Sequence, residues 1–294
     1  MASRRSDIIV GIVLVAVVLF VFWVAFTLLR APEDGNFAIS GTGDVAVIPV
    51  EGMIADPQPF IRKLEKYLDR RDVKAIVIRI ESPGGIVAAS QEMYNAIKRA
   101  RETDKPVIAS MGSVAASGGY YIALGADSIL ASPGTMTGSI GVLMDFPETT
   151  KLMDKLGIQI HSVTSGPLKN AGAPYSDWDS QTRDYFQSIV MNTYEQFVQV
   201  VATERHLDQD IAHRLADGRV FTGMQALEHR LIDRLGGLYE AVQLAGEMAG
   251  IQGEPTTVQP ARRQVRLWDV LFGDLNQLVN RFAGSPVPAY RYQY

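Results

Sequence analysis

Residues 111–121 read Met-Gly-Ser-Val-Ala-Ala-Ser-Gly-Gly-Tyr-Tyr, and Ser117 is the group among them that could do chemistry. A serine hydroxyl becomes a nucleophile when a base takes its proton and nearby N–H groups stabilise the oxyanion it creates. A serine at the start of a helix faces unpaired backbone N–H groups and the positive end of the helix dipole. Gly118 and Gly119 leave room for another peptide's backbone. Taken alone, the stretch also reads as tight helix packing around an incidental serine. A base must be found elsewhere. Of the four histidines, His206, His213 and His229 fall on what read as solvated faces of C-terminal helices, and His161 reads as a buried strand residue. The G-x-S-x-G pattern of a nucleophile elbow is absent. Lys169, in Thr-Ser-Gly-Pro-Leu-Lys-Asn-Ala-Gly-Ala-Pro (164–174), is the other candidate, although a lone loop lysine is ordinarily a solvated one. Keeping any lysine amine neutral near pH 7.5 takes roughly 4 kcal/mol, which a closed apolar site can supply. The 164–174 loop has no carboxylate within seven residues of Lys169 and is compatible with such a site.

Positioning these groups falls to an alternation of strands and helices. Residues 44–50 and 75–80 read as strands, the second buried on both faces. Residues 59–71 have helical spacing, with Ile61, Leu64, Tyr67 and Leu68 on one face. The break Ser-Pro-Gly-Gly (82–85) precedes a helix over 87–101. A strand over 106–110 comes next, and the small-residue stretch then opens a helix that ends near Gly125. Strands are predicted at 128–132, 140–144 and 158–163, with a helix at 147–156. Such alternation predicts an α/β fold with mostly parallel pairing. After residue 177 the pattern is helical only, at 180–205, 208–216, 222–230 and 237–249. A break at 252–264 leads to an amphipathic stretch, 265–282, and a tail that reads as disordered.

The bulk composition narrows the function. Twenty-eight Lys and Arg stand against 32 Asp and Glu, a formal charge of −4, so nothing suggests a nucleic-acid partner. The absence of cysteine removes thiol nucleophiles, thiolate metal sites and disulfides together. Ile8–Leu29 carries no charge and would make a helix of about 33 Å, enough to cross a bilayer. Arg4 and Arg5 before it, against Arg30 after it, predict a cytoplasmic N-terminus with the remainder across the membrane. The expected organisation is a cytoplasmic stub (1–7), a lipid-embedded anchor (8–29), a linker (30–43), a main α/β domain (44–250) and a C-terminal extension (251–294).

Four ordered blocks carry a family resemblance: Arg-Ile-Glu-Ser-Pro-Gly-Gly (79–85), Ser110–Asp127, Thr-Gly-Ser-Ile-Gly-Val (137–142) and Thr164–Gly172. Together they resemble the signal peptide peptidase A family of membrane-anchored Ser-Lys endopeptidases, in its short single-domain form, over about residues 44–250. The resemblance implies the fold of the Clp protease and crotonase enzymes. It implies Ser117 as nucleophile, Lys169 as general base and Ser139 as the serine holding the lysine amine. The backbone N–H groups of Gly85 and Gly118 would form the oxyanion hole. It further implies remnant signal peptides and other extended apolar peptides as substrates, a ring or dome of identical subunits, and neither cofactor nor metal. The stomatin-linked Ser-Lys proteases are a related alternative within the same class. Outside it stand an inactive scaffold of the same fold and a crotonase-like acyl-CoA enzyme, which would need a carboxylate in the site. Residues 251–294 match no family block, and the tail Ser-Pro-Val-Pro-Ala-Tyr (285–290) is a candidate pseudo-substrate.

Overall fold

β-branched runs form the middle of a sheet that is covered on both faces. The computed structural model describes residues 42–176, 178–260 and 289–291. In chain order the elements are β1 (Val45–Glu51), α1 (Gln58–Leu68), β2 (Ala75–Ser82), β3 (Gly84–Ile86), α2 (Val87–Arg101), β4 (Val107–Ala116) and α3 (Gly118–Ala123). There follow β5 (Ser128–Ala131), β6 (Met136–Gly138), α4 (Thr150–Leu156), α5 (Ser180–Glu204), α6 (Gln209–Leu215), β7 (Val220–Thr222) and α7 (Gly223–Glu228). The last are β8 (Arg234–Leu235), α8 (Leu238–Met248), β9 (Thr257–Val258) and β10 (Ala289–Arg291). The main sheet runs β7-β6-β4-β2-β1-β9, with β5 beside β4 and β8 beside β5. Its ladders are parallel except for β6 with β7. This is the mixed α/β sheet with helices that a Clp protease-like fold requires.

Alternate residues of the central strands enter two separate cores. Ala46, Ile48, Ile76, Ile78 and Ile80 meet Leu64 and Tyr67 of α1, Met93 and Ile97 of α2, Tyr120 of α3 and Phe197 of α5. Val45, Val47, Ala75 and Val77 meet Ala241, Val242, Leu244 and Ala245 of α8. Each fully buried Val, Leu or Ile side chain stabilises by about 1.5–3 kcal/mol, so the strands hold their register without help from turns. Pro49 is tolerated in β1 because β9 pairs only with Val45 and Ala46, leaving that edge open at residue 49.

Several expectations change. β4 does not end near Ser110 but continues to Ala116, so the small residues are strand and Ser117 stands directly between strand and helix. Residues 140–144 and 158–163 are not strands. The second segment alternates correctly, yet it joins no sheet edge, and Ile158, Ile160 and Val163 face solvent. Strands do continue after residue 177, as the short β7, β8 and β9; their two or three residues are too few for a periodic signal. The tail is not wholly irregular, since residues 289–291 form β10. The expected anchor at 8–29 and the amphipathic stretch at 265–282 lie outside the described residues. Among the described residues no helix is long and apolar enough to cross a membrane.

Candidate active site

Two of the expected site residues come together at the ends of neighbouring strands. β4 and β6 are paired so that Ala116 stands opposite Gly138, and the next residues are Ser117 and Ser139. Ser117 N–H donates to Gly138 O, and Ser139 N–H donates to Arg219 O, each at 2.8 Å. Both serines leave their strands in the left-handed region, with φ of 53° and 49°. A non-glycine residue held there stores about 1–3 kcal/mol of strain, which persists only where the surroundings fix it. Both are buried, Ser117 to 1% exposure. The Ser117 hydroxyl has no hydrogen-bond partner among the described residues. Its carbonyl accepts from Tyr121 N–H at 2.8 Å, which starts α3.

The surroundings that fix Ser117 begin at Glu81. Between β2 and β4 the register slips: Ile80 pairs with Met111, but Ser82 pairs with Ala115. The surplus residues, Gly112 to Val114, bulge toward the Glu81 carboxylate, which accepts from Ser113 N–H at 2.7 Å and Val114 N–H at 3.0 Å. A Cβ on Gly112 would lie 1.9 Å from Glu81 Oε2, so a larger residue there would push the carboxylate off the two amides. On the other side, Thr135 Oγ1 donates to Gly112 O and Thr137 Oγ1 to Ala115 O, both at 2.7 Å. Glu81, Thr135 and Thr137 were not legible as positioning residues. The available signal was an acidic residue inside an otherwise apolar strand.

Gly85 reaches the same place by another route. The Ser82 hydroxyl donates to Gly52 O at 2.6 Å and accepts from Gly84 N–H at 3.1 Å, closing the Ser-Pro-Gly-Gly turn. β3 then runs so tightly against Ile54 that a Cβ on Gly85 would lie 2.0 Å from Ile54 O. A Cβ on Gly119 would lie 2.7 Å from Ser82 O, so α3 packs closely on the end of β2, and it also touches β3. Gly85 and Gly118 therefore belong to elements in contact, with Ser117 at the start of one of them. A hollow of about 310 Å³ opens beside β3, lined in part by Val50, Met53, Ile54, Phe60 and Met93. A larger cleft of about 590 Å³ between α2 and α5 is lined mainly by amides such as Gln91, Asn95, Asn192 and Gln196 and holds no candidate nucleophile. Behind Ser117 the phenols stay neutral: burial pushes Tyr121 up to about 12 and Tyr120 higher still, and Tyr120 donates to Leu231 O.

Lys169 makes no hydrogen bond to the Ser117 hydroxyl. It lies in a coil of successive turns in which Lys169 N–H donates to Gly166 O, Ala171 N–H to Leu168 O, and Ala173 N–H to Asn170 O. Its side chain is exposed. The coil is anchored by stacked rings, Trp178 lying parallel to Phe186 at 5.8 Å with Phe146 against both. Gly172 is wedged beside them, and a Cβ there would come within 2.7 Å of Phe146. His161, expected to be buried, is exposed, because the strand meant to bury it does not form. No histidine hydrogen-bonds to the Ser117 hydroxyl.

The mostly parallel α/β sheet with helices on both faces fits a Clp protease-like fold, and Ser117 sits in it as a strained, buried serine between strand and helix. Comparison with known proteins gives the family. Residues 99–252 match the model for peptidase family S49, and residues 44–150 match that for the NfeD1b N-terminal domain. A candidate protease of Synechocystis is 39% identical over 216 residues, which cover 73% of this chain and 78% of that protein. Protease 4 of Haemophilus influenzae is 35% identical over 73% of this chain, and the chloroplastic serine protease SPPA of Arabidopsis thaliana 36% over 76%. The match spans only 36% and 34% of those two longer proteins. The chain belongs to peptidase family S49, the family of signal peptide peptidase A.

Proposed function

We propose that the chain is a membrane-anchored serine endopeptidase in which Ser117 is the nucleophile and Lys169 the general base. One observation carries the reading: the Ser117 hydroxyl is buried, unpartnered and held on a left-handed backbone. A purely structural serine would use its hydroxyl, and a relaxed turn would not store strain there. In the reaction, Lys169 Nζ takes the hydroxyl proton and Ser117 Oγ attacks a peptide carbonyl. The N–H groups of Gly85 and Gly118 stabilise the oxyanion, each such donor contributing about 3 kcal/mol at the transition state. The lysine ammonium then protonates the leaving amine, and water releases the acyl group. Ser139, one strand over, holds the amine without adding charge.

Extended apolar peptides are the substrates this site favours. β3 offers a backbone edge, and the hollow reached past Ile54 has an apolar floor of Val50, Met53, Ile54, Phe60 and Met93 beside the charged Glu51, Asp56 and Lys63. The uncharged run Ile8–Leu29 tethers the enzyme beside such peptides, with the catalytic domain on the far side of the membrane from the N-terminus. The chain works as an assembly of identical copies. Near the lysine loop Leu152, Leu156, Ile158, Ile160 and Val163 are all exposed, an apolar strip that a second copy would cover.

Two experiments test this. A fluorophosphonate probe should label the wild-type chain at Ser117, and Ser117→Ala and Lys169→Ala should each abolish cleavage of apolar peptides. Mixing the two inactive variants asks where the base comes from: recovered activity means that the lysine serves a neighbouring chain, and none means closure of its own loop. Normal turnover by folded Lys169→Ala would overturn the dyad.

A further inference from the structure

β6 and β7 start as a regular antiparallel ladder, with Met136 opposite Thr222, Thr137 opposite Phe221 and Gly138 opposite Val220. The next opposed residues are Ser139 and Arg219, and Ser139 N–H donates to Arg219 O at 2.8 Å. In a regular ladder two residues joined in this way exchange both bonds, so Arg219 N–H would return to Ser139 O. Here it donates instead to Asp217 Oδ1 at 3.1 Å, and Arg219 Nε reaches the same oxygen at 2.8 Å. Gly218 makes the turn between them at φ 90°, and its N–H donates to Ile140 O at 3.1 Å. The Asp217 carboxylate thus captures the amide that would have kept residue 139 in the sheet, and Ser139 leaves with φ 49°. The effect reaches the other serine. Ser117 N–H hangs on Gly138 O, and Gly138 is pinned by Phe221, whose ring would lie 2.5 Å from a Cβ there.

We propose that Asp217 is a positioning residue of the active site: by diverting the Arg219 amide it opens the ladder at Ser139 and aims the Ser139 hydroxyl at the lysine amine. The proposal rests on the reading that Ser139 holds the amine of Lys169. A left-handed backbone on a non-glycine residue persists only where its surroundings impose it. With both ladder bonds made, residue 139 would stay extended, and its hydroxyl would project from a sheet face as any strand side chain does. The ion pair between Asp217 and Arg219 is exposed on both sides and adds little to stability. The carboxylate's work is therefore to select one of two backbone conformations rather than to anchor the fold. The Arg219 guanidinium holds the Asp217 carboxyl down at about 2, so both oxygens remain acceptors well below neutral pH. A catalytic group misplaced by about 1 Å can lose on the order of a hundredfold in rate, so a small change at this turn is felt at the reacting atoms.

The test uses the full chain. Asp217→Ala frees the Arg219 amide to close on Ser139 O. Its expected effect is a fall in kcat for an apolar peptide by about tenfold or more, with KM held within about twofold. Asp217→Asn keeps a carbonyl oxygen where Oδ1 stands and should recover most of the loss. An unchanged kcat in Asp217→Ala overturns the proposal. So does an equal loss in the two variants, which would make charge, and not the diverted amide, the cause. A second measurement needs no catalysis. Ser139→Gly should raise Tm in the wild type, because it releases left-handed strain. In the Asp217→Ala background residue 139 is extended, glycine only frees the unfolded chain, and the same change should lower Tm. Shifts of the same sign in both backgrounds mean that the two sites are not coupled in this way, and overturn the proposal. A wild type that neither cleaves peptides nor labels at Ser117 defeats the peptidase reading instead, and the melting cycle still judges Asp217.

Discussion

Replacing Ser117 should stop catalysis and stabilise the protein at the same time. Its hydroxyl is buried without a partner, a burden of about 1–3 kcal/mol in a folded chain. Ser117→Ala removes it. The void left by one oxygen costs only a few tenths of a kcal/mol, at about 24 cal/mol per Å³. A net gain of about 1–2 kcal/mol should raise Tm by about 2–6 °C in a domain of this size. Ser117→Gly tests the backbone separately. It relieves about 1–3 kcal/mol of strain at φ 53°, against about 0.4–1 kcal/mol for the freer unfolded chain. Glycine should therefore melt no lower than alanine. Calorimetry of the three proteins, with probe labelling to confirm loss of the nucleophile, decides the matter. If either variant melts below wild type, the hydroxyl has a native partner or the backbone is unstrained, and the reasoning fails.

Other outcomes follow from the same geometry. Gly85→Ala must displace Ile54 O from 2.0 Å and disturb the oxyanion donor, so kcat should fall by about 10²–10³-fold, read in steady-state kinetics. Glu81→Gln keeps one acceptor for two amides; stability should drop by about 1–3 kcal/mol in denaturant melts, and kcat by roughly tenfold as Ser117 shifts. Lys169→Ala removes an exposed side chain and should change stability by no more than about 0.5 kcal/mol while abolishing turnover. Burial alone would raise the Glu204 carboxyl, but hydrogen bonds from Lys98, Tyr94 and Arg101 outweigh it and hold the carboxyl below its ordinary 4.5. A lowered folded pKa contributes stability that is complete above 4.5 and fades as pH falls through the folded value. Glu204→Gln should therefore flatten the acid limb of a stability–pH curve.

The sequence was most informative where many residues share one period. The buried strands at 44–50 and 75–80 and the helix at 87–101 are set by apolar runs and 3.6-residue spacing, and they form nearly where expected. The small-residue stretch pointed to Ser117 but not to its mounting, because a register slip between β2 and β4 depends on a glutamate from another strand. The 158–163 segment misled, since alternation describes a strand's faces and not whether an edge awaits it. Ser139 was placed through resemblance, and its position one strand from Ser117 follows from the Ala116–Gly138 pairing, which no local pattern encodes. Lys169 remains the least legible group: its neighbours fix a coil, and no local pattern says what that coil rests on.

The coil rests on α5. Its C-terminal half is embedded, with Phe197 edge-on to Tyr121 at 4.9 Å and Val198 and Val201 fully buried. Its other end, with Tyr185 and Met191 exposed, carries Phe186 and the ring stack that grips the lysine coil. The helix is thus a boom with its fulcrum under α3, the helix that follows Ser117. At 1.5 Å per residue, a tilt of about 5° at Phe197 swings the far end by roughly 2 Å. Whatever leans on that outer end moves the coil that carries Lys169.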